Sequence, residues 1–195
     1  MPVRAHRRSP ERSGEYVTPD AISTAEATLR RAAGVRASVL VVSDEVAAGA
    51  DPDRGGPVAV QLLAEFGVPA SRTVVSDDAA GLRATINSAM DDGVRMVIAC
   101  GGTGIGPRDR TSDVVRSLID FELPGIAEEI RRRGSAHTRL ALVSREVAGV
   151  VLRDGSPSVL LLAVPGSRGG IRDAIGVIGE LIGYIIEQLD GAGHV

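Results

Sequence analysis

The run Arg95-Met96-Val97-Ile98-Ala99-Cys100-Gly101-Gly102-Thr103-Gly104-Ile105-Gly106-Pro107-Arg108-Asp109-Arg110-Thr111 holds the residues best suited to chemistry. An apolar strand ends in a glycine-rich loop, and an Arg, an Asp and a helix start follow at once. Glycines let the backbone approach a ligand and turn its N–H groups toward an anion. Such a loop suits a phosphorylated small molecule. It is neither of the usual phosphate motifs. A P-loop ends in Gly-Lys-Ser/Thr, and this chain has no lysine; all 22 cationic side chains are arginine. From Gly102 the order is Gly-Thr-Gly-Ile-Gly-Pro, which breaks the G-x-G-x-x-G spacing of dinucleotide sites.

Aspartates gather in the neighbouring loops: Asp44, Asp53, Asp77, Asp78 and Asp109. Any one alone reads as an Asx turn or a helix cap, Asp78 as the cap of a helix beginning at Ala79. Several together beside a phosphate loop would repel the ligand unless a divalent cation lay between them. Mg²⁺ takes one or two carboxylates and fills its remaining positions with phosphate or water oxygens. A Mg²⁺-nucleotide or Mg²⁺-phosphate site is therefore expected. Arg108, Arg110, Arg145 and Arg168 are candidates to balance phosphate charge, with Arg108 best placed.

These loops need a scaffold that brings them together. From residue 35 onward, apolar strands alternate with amphipathic helices. Strands are expected at 37–42, 72–76, 94–100 and 158–164, and helices at 57–66, 79–92, 111–120, 124–133 and 171–189. Asp154-Gly155 reads as a hairpin turn between residues 150–152 and 158–163. Strands separated by helices imply parallel pairing with right-handed crossovers. Loops after parallel strands share the carboxyl edge of the sheet, where ligands bind. Along the last helix, Gly176, Gly179 and Gly183 allow close backbone packing. Residues 1–34 read as an Arg-rich tail with a short helix over 18–33, 35–190 as the folded domain and 191–195 as a tail.

Composition narrows the class. A net charge of −3 gives no case for nucleic-acid binding. The single cysteine, Cys100, rules out an internal disulfide and reads as a small buried hydrophobe. No apolar run suggests a signal-peptide core or a membrane span, so a cytoplasmic location is expected.

The order of motifs resembles the MogA/MoaB family of molybdenum-cofactor biosynthesis proteins. Ser43-Asp44, Asp53-Arg54-Gly55-Gly56-Pro57, Asp77, Gly101-Gly102-Thr103-Gly104 with Pro107-Arg108-Asp109-Arg110-Thr111, Pro124-Gly125, Glu128, Ser144-Arg145, Ala148-Gly149 and Pro165-Gly166-Ser167 carry the likeness. It spans roughly residues 35–190. It implies a three-layer α/β/α sandwich with a mostly parallel sheet, usually trimeric, with a hexamer as the alternative. It also implies adenylyl transfer from MgATP to molybdopterin, with a molybdenum-insertion enzyme as possible partner. By this resemblance Asp77 and Asp109 are the essential, Mg²⁺-binding aspartates. Gly101, Gly102, Thr103, Gly104 and Arg108 face phosphate. Ser43, Asp44, Ser144, Arg145, Gly166 and Ser167 face molybdopterin. Gly55 stands where the family commonly has Ser, and Thr138-Arg139 where Thr-Pro is frequent. Two other readings stay open: a non-catalytic paralogue that binds molybdopterin or a protein, and a nucleotide hydrolase on the same domain.

Overall fold

The computed structural model describes residues 32–191. The Arg-rich tail and nearly all of the helix expected at 18–33 lie outside the described residues.

Six strands form one sheet in the order β2-β1-β3-β6-β5-β4. They are β1 (Ala37–Val42), β2 (Ala70–Val75), β3 (Met96–Cys100), β4 (Phe121–Glu122), β5 (Val147–Val151) and β6 (Val159–Val164). The helices are α1 (Asp44–Ala47), α2 (Gly56–Glu65), α3 (Ala79–Asp91), α4 (Thr111–Arg116), α5 (Pro124–Ser135) and α6 (Arg168–Leu189), with a 3-10 turn at Arg139–Val143. Strands β1, β2, β3 and β6 run parallel, while β5 pairs antiparallel with β6 and β4 antiparallel with β5. The expected three-layer α/β/α arrangement is present.

Alternation along the strands sorts the core into two layers. Val39, Val41, Met96, Ile98, Leu160 and Leu162 face α2, α5 and α6. Leu40, Val42, Val97, Ala99, Leu161 and Ala163 face α3 and α4. Strands β1, β3, β5 and β6 are buried along their whole length, as expected for a sheet covered on both faces.

The differences from the sequence reading have local causes. The helix expected to reach residue 120 ends at Arg116, where the chain turns to lay β4 against β5. That two-residue edge strand carries no periodic signal. The one-turn helix α1 is too short for any helical pattern. The hairpin at Asp154-Gly155 is present, with Gly155 at φ 69°. Its first strand starts at Val147, three residues earlier than expected.

Two consequences bear on the site. The loops after β1, β2, β3 and β6 all leave the sheet at one edge. Because β5 runs the other way, its beginning, Ser144-Arg145-Glu146, meets those four loops at the same edge.

Gly179 of α6 faces Phe66 at the end of α2: an added Cβ would lie 2.3 Å from a ring carbon. Gly169, in the first turn of α6, has open space instead. Overpacking of this kind costs about 1–3 kcal/mol, and helix propensity returns about 1 kcal/mol for Gly→Ala. Gly179→Ala is expected to lower the melting temperature, whereas Gly169→Ala leaves it unchanged or raises it. Equal shifts in thermal melts of the two variants would contradict the packing role of Gly179.

Candidate functional site

The rim is built on glycines that leave no room for side chains. Gly101 has φ 114°, and an added Cβ would lie 2.3 Å from the Val42 carbonyl oxygen at the end of β1. A Cβ on Gly166 would lie 3.1 Å from Gly101 Cα. The ends of β1, β3 and β6 are thus in backbone contact. Gly55 closes the set, since a Cβ there would meet Ile171 Cδ1 at 2.7 Å and Gly166 O at 3.0 Å. A serine would crowd this contact, which accounts for glycine at position 55.

Gly102 has φ 61°, and an added Cβ would sit 2.3 Å from Thr111 Oγ1 and 3.4 Å from Asp77 Oδ1. Cβ atoms at Gly104 and Gly106 would lie 2.7 and 2.8 Å from Asp109 Oδ2. The two aspartates singled out in the sequence therefore border one glycine loop, Asp77 from the end of β2 and Asp109 from the loop's own far side. Asp109 also accepts the Gly106 N–H at 2.8 Å. Thr111 is buried beneath Gly102, and its hydroxyl has no hydrogen-bond partner.

Acidic groups concentrate around Asp77. Its backbone N–H donates to Asp44 Oδ1 at 2.9 Å. Partial burial pushes the Asp77 carboxyl above its ordinary value, and the charges of Asp44 and Glu45 add to the rise. The Asp44 backbone and Arg108 pull the other way. Arg108 is largely exposed and is held by a 3.4 Å pair with Asp44. Among the described residues no group of three or more His, Cys, Asp or Glu gathers as a metal cluster. Asp77 and Asp109 are hard-oxygen donors beside a phosphate-type loop. That donor set fits Mg²⁺ provided phosphate or water oxygens complete the shell.

Several residues expected to face ligand also have work inside the protein. Ser43 caps α1, accepting the Val46 N–H at 3.3 Å. Ser167 caps α6, accepting the Gly170 N–H at 3.1 Å; this aims the positive end of a 22-residue helix at the rim. Ser144 Oγ lies 3.1 Å from Thr103 Oγ1. Arg145 clamps the glycine loop: Nε donates to Gly104 O at 2.7 Å, Nη2 to Asp109 O, and Nη1 to Asp113 Oδ1 at 2.9 Å. Its backbone N–H donates to Thr103 O at 2.8 Å. Asp53 accepts the N–H groups of Gly55 and Gly56 at 3.0 and 2.8 Å and pairs with Arg72. Asp78 caps α3, as expected. Cys100 is buried, and burial pushes its thiol up to about 12, so it remains protonated.

Two cavities flank Ser167. One of about 450 Å³ lies between residues 43–55 and the turn at 166–168, with Ser43, Asp53, Gly55, Gly166, Ser167 and Arg168 among its lining. The other, about 560 Å³, lies between α5, the 3-10 turn and the start of α6. Glu146 lines the second and is 4% exposed. The sequence reading passed over it. The available signal was its parity with Ala148, which places a carboxylate on a core-facing side of β5.

The crevice lies beyond the carboxyl ends of four parallel strands, and it joins a glycine loop to carboxylates. This defines an α/β sandwich with a mostly parallel sheet and a glycine-lined crevice at its carboxyl edge. Residues 38–183 match the family described as probable molybdopterin binding domain, and the chain belongs to the MogA/MoaB family of molybdenum-cofactor biosynthesis. A crystal structure of a molybdopterin biosynthesis protein from Mycobacterium abscessus is 39% identical; the match covers 80% of this chain and 96% of that one, with TM-score 0.73. A molybdenum cofactor biosynthesis bifunctional protein from Synechococcus elongatus is 34% identical over 184 residues, 94% of this chain and 56% of that protein. The chain thus spans about half the length of such bifunctional relatives. A molybdopterin adenylyltransferase from Pyrococcus furiosus is 27% identical over 150 residues, 77% of this chain and 88% of that protein. No helix among the described residues is long and apolar enough to cross a membrane.

Two expectations follow from the geometry. A carboxyl pushed upward binds its proton more tightly in the folded chain, so stability falls as the pH rises from about 3.8 through the raised native value. Asp77→Asn should therefore raise the melting temperature slightly at pH 7, and the gain should shrink toward pH 3.8. A lower melting temperature at pH 7 would show that the carboxylate is stabilising. Separately, Arg145→Ala should free the loop and speed trypsin cleavage after Arg108 and Arg110 by roughly tenfold or more. Unchanged cleavage would mean that the loop holds without its clamp.

Proposed function

We propose that the protein transfers an adenylyl group from ATP to the terminal phosphate of molybdopterin. The observation that carries this reading is the convergence of Asp77 and Asp109 on one glycine loop. The name of the Pyrococcus furiosus relative supports it.

The phosphate nucleophile is already ionised at neutral pH, so the site has little need of a general base. One of its oxygens forms a bond to the α-phosphorus of ATP as the bond to the bridging oxygen breaks, and that electron pair leaves with pyrophosphate. Catalysis then rests on position and charge. The N–H groups of residues 101–104 bind phosphate oxygens. Arg108, lightly held by Asp44, turns to the phosphates. Arg145 holds the loop, and with it Asp109, in register. Asp77 and Asp109 would hold Mg²⁺, which supplies charge neutralisation at the triphosphate. The Asp77 carboxyl is shifted upward chiefly by partial burial, with the charges of Asp44 and Glu45 adding to it; a bound cation would favour its ionised form.

We also propose that the chain works as a homo-oligomer, a trimer on the family pattern. Leu140, Leu142 and Val143 in the 3-10 segment, Ile105 in the glycine loop, and Leu181 and Tyr184 on α6 are exposed. Light scattering is expected to give three times 20.2 kDa; a monomer would refute the assembly.

The test of activity is pyrophosphate release with formation of adenylylated molybdopterin from MgATP. Wild type is expected to turn over, and Asp109→Asn to fall by roughly a hundredfold or more. Full activity in the variant would remove Asp109 from the mechanism. An inactive wild type that still binds the pterin would make the protein a carrier.

A further inference from the structure

We infer that Arg72 is a positioning residue of the crevice. It cancels the charge of Asp53, the carboxylate that folds the wall at residues 51–56, and so leaves the cavity between that wall and the turn at 166–168 open to an anionic ligand. The inference rests on the proposed transfer reaction only in taking that ligand to be a phosphate ester.

The wall needs the carboxylate. Gly55 stands at the cap of α2 and has no side chain to offer it. The N–H groups of Gly55 and Gly56 turn instead to Asp53 Oδ1, at 3.0 and 2.8 Å. The result is a nearly buried charge, since the Asp53 side chain is 7% exposed. A carboxylate withdrawn from water needs a cationic partner. Its own loop supplies none, because Arg54 pairs with Asp51. The partner comes from the edge strand β2, where Arg72 Nη1 pairs with Asp53 Oδ2. Gly56 makes room for it: an added Cβ there would lie 2.3 Å from Asp53 Oδ2 and 2.7 Å from Arg72 Cδ.

Without Arg72 that charge would reach the ligand. Asp53 lines the cavity of about 450 Å³. Cys100 lines it too, and its thiol, raised chiefly by burial, is raised further by the Asp53 charge. Gly55 abuts Gly166 O, and Gly166 abuts Gly101. Asp53 therefore stands two backbone contacts from the glycine loop. Four charged side chains line the cavity: Asp51, Asp53, Arg54 and Arg168. Asp51 and Arg54 pair with each other, and Arg168 has no ion pair among the described residues. With Arg72 on Asp53, Arg168 is left to face an anion. With Arg72 gone, Asp53 would cancel Arg168 instead. Charges a few ångströms apart in a crevice walled by protein are felt more strongly than in open water. The contact is a single ammonium-like point, one Nη on one oxygen, so charge matters here more than the guanidinium fork.

The test is calorimetric titration of the full chain with ATP and with adenosine, which lacks the phosphates. Arg72→Met keeps the stem that packs on Gly56 and removes the charge. It should weaken ATP binding roughly tenfold and adenosine binding by less than about twofold. Arg72→Lys should hold ATP affinity within about threefold of wild type. So should the double variant of Asp53→Asn with Arg72→Met, because the amide oxygen of Asn still accepts the two N–H groups. Unchanged ATP affinity in Arg72→Met would overturn the inference. Equal losses for ATP and adenosine, or a loss that the double variant does not restore, would overturn it too and make Arg72 a brace of the wall. A wild type that binds neither ligand would also overturn it. Failure of the transfer reading is separable: a chain that shows the charge-dependent loss but releases no pyrophosphate with molybdopterin keeps the role of Arg72 and loses the reaction.

Discussion

Backbone contact between strand ends governs this molecule. The Val42 carbonyl, Gly101 and Gly166 approach so closely that a Cβ on Gly101 would collide with the end of β1 and one on Gly166 would press tightly on Gly101. Strands β1, β3 and β6 therefore deliver their loops to a single point. The loop at 101–110 cannot spread outward, because Arg145 grips the carbonyls of Gly104 and Asp109. Arg145 is available only because β5 runs antiparallel to β6. A fully parallel sheet would have sent the start of that strand to the opposite edge. One reversed strand thus converts a generic crevice into a braced one.

Within this frame the electrostatics oppose each other. Asp44, Glu45 and Asp77 crowd together, and the Asp77 carboxyl is shifted upward by burial and by its neighbours. Arg108 answers that charge at 3.4 Å from Asp44 and keeps most of its surface in solvent. The proposed site sets carboxylates beside a glycine loop. A metal–phosphate ligand satisfies both.

Much of this was legible in the sequence because the signals are local. The run at 95–104 shows a buried strand entering a glycine loop, and Asp78 shows its helix cap without reference to anything distant. The shared edge followed from parallel strands joined by helices, and the motif order pointed to the MogA/MoaB family. What escaped depends on tertiary pairing. Arg145 looked like a ligand contact because sequence does not reveal that Gly104 O, Asp109 O and Asp113 meet its guanidinium. Gly55 looked like a departure, and only the nearness of Gly166 O and Ile171 explains it. Glu146 drew no notice because burial of a lone carboxylate depends on α5 and α6 closing over it. Strand β4, with two residues, has no period to read.

The central claim is that the loop at 101–104 cradles a triphosphate whose cation sits between Asp77 and Asp109. A crystal structure with Mg²⁺ and a non-hydrolysable ATP analogue tests it most directly. The account predicts phosphate density against the N–H groups of residues 101–104, with one octahedral cation touching oxygens of both aspartates. Phosphates bound elsewhere on the chain, or a cation touching neither carboxylate, would contradict it.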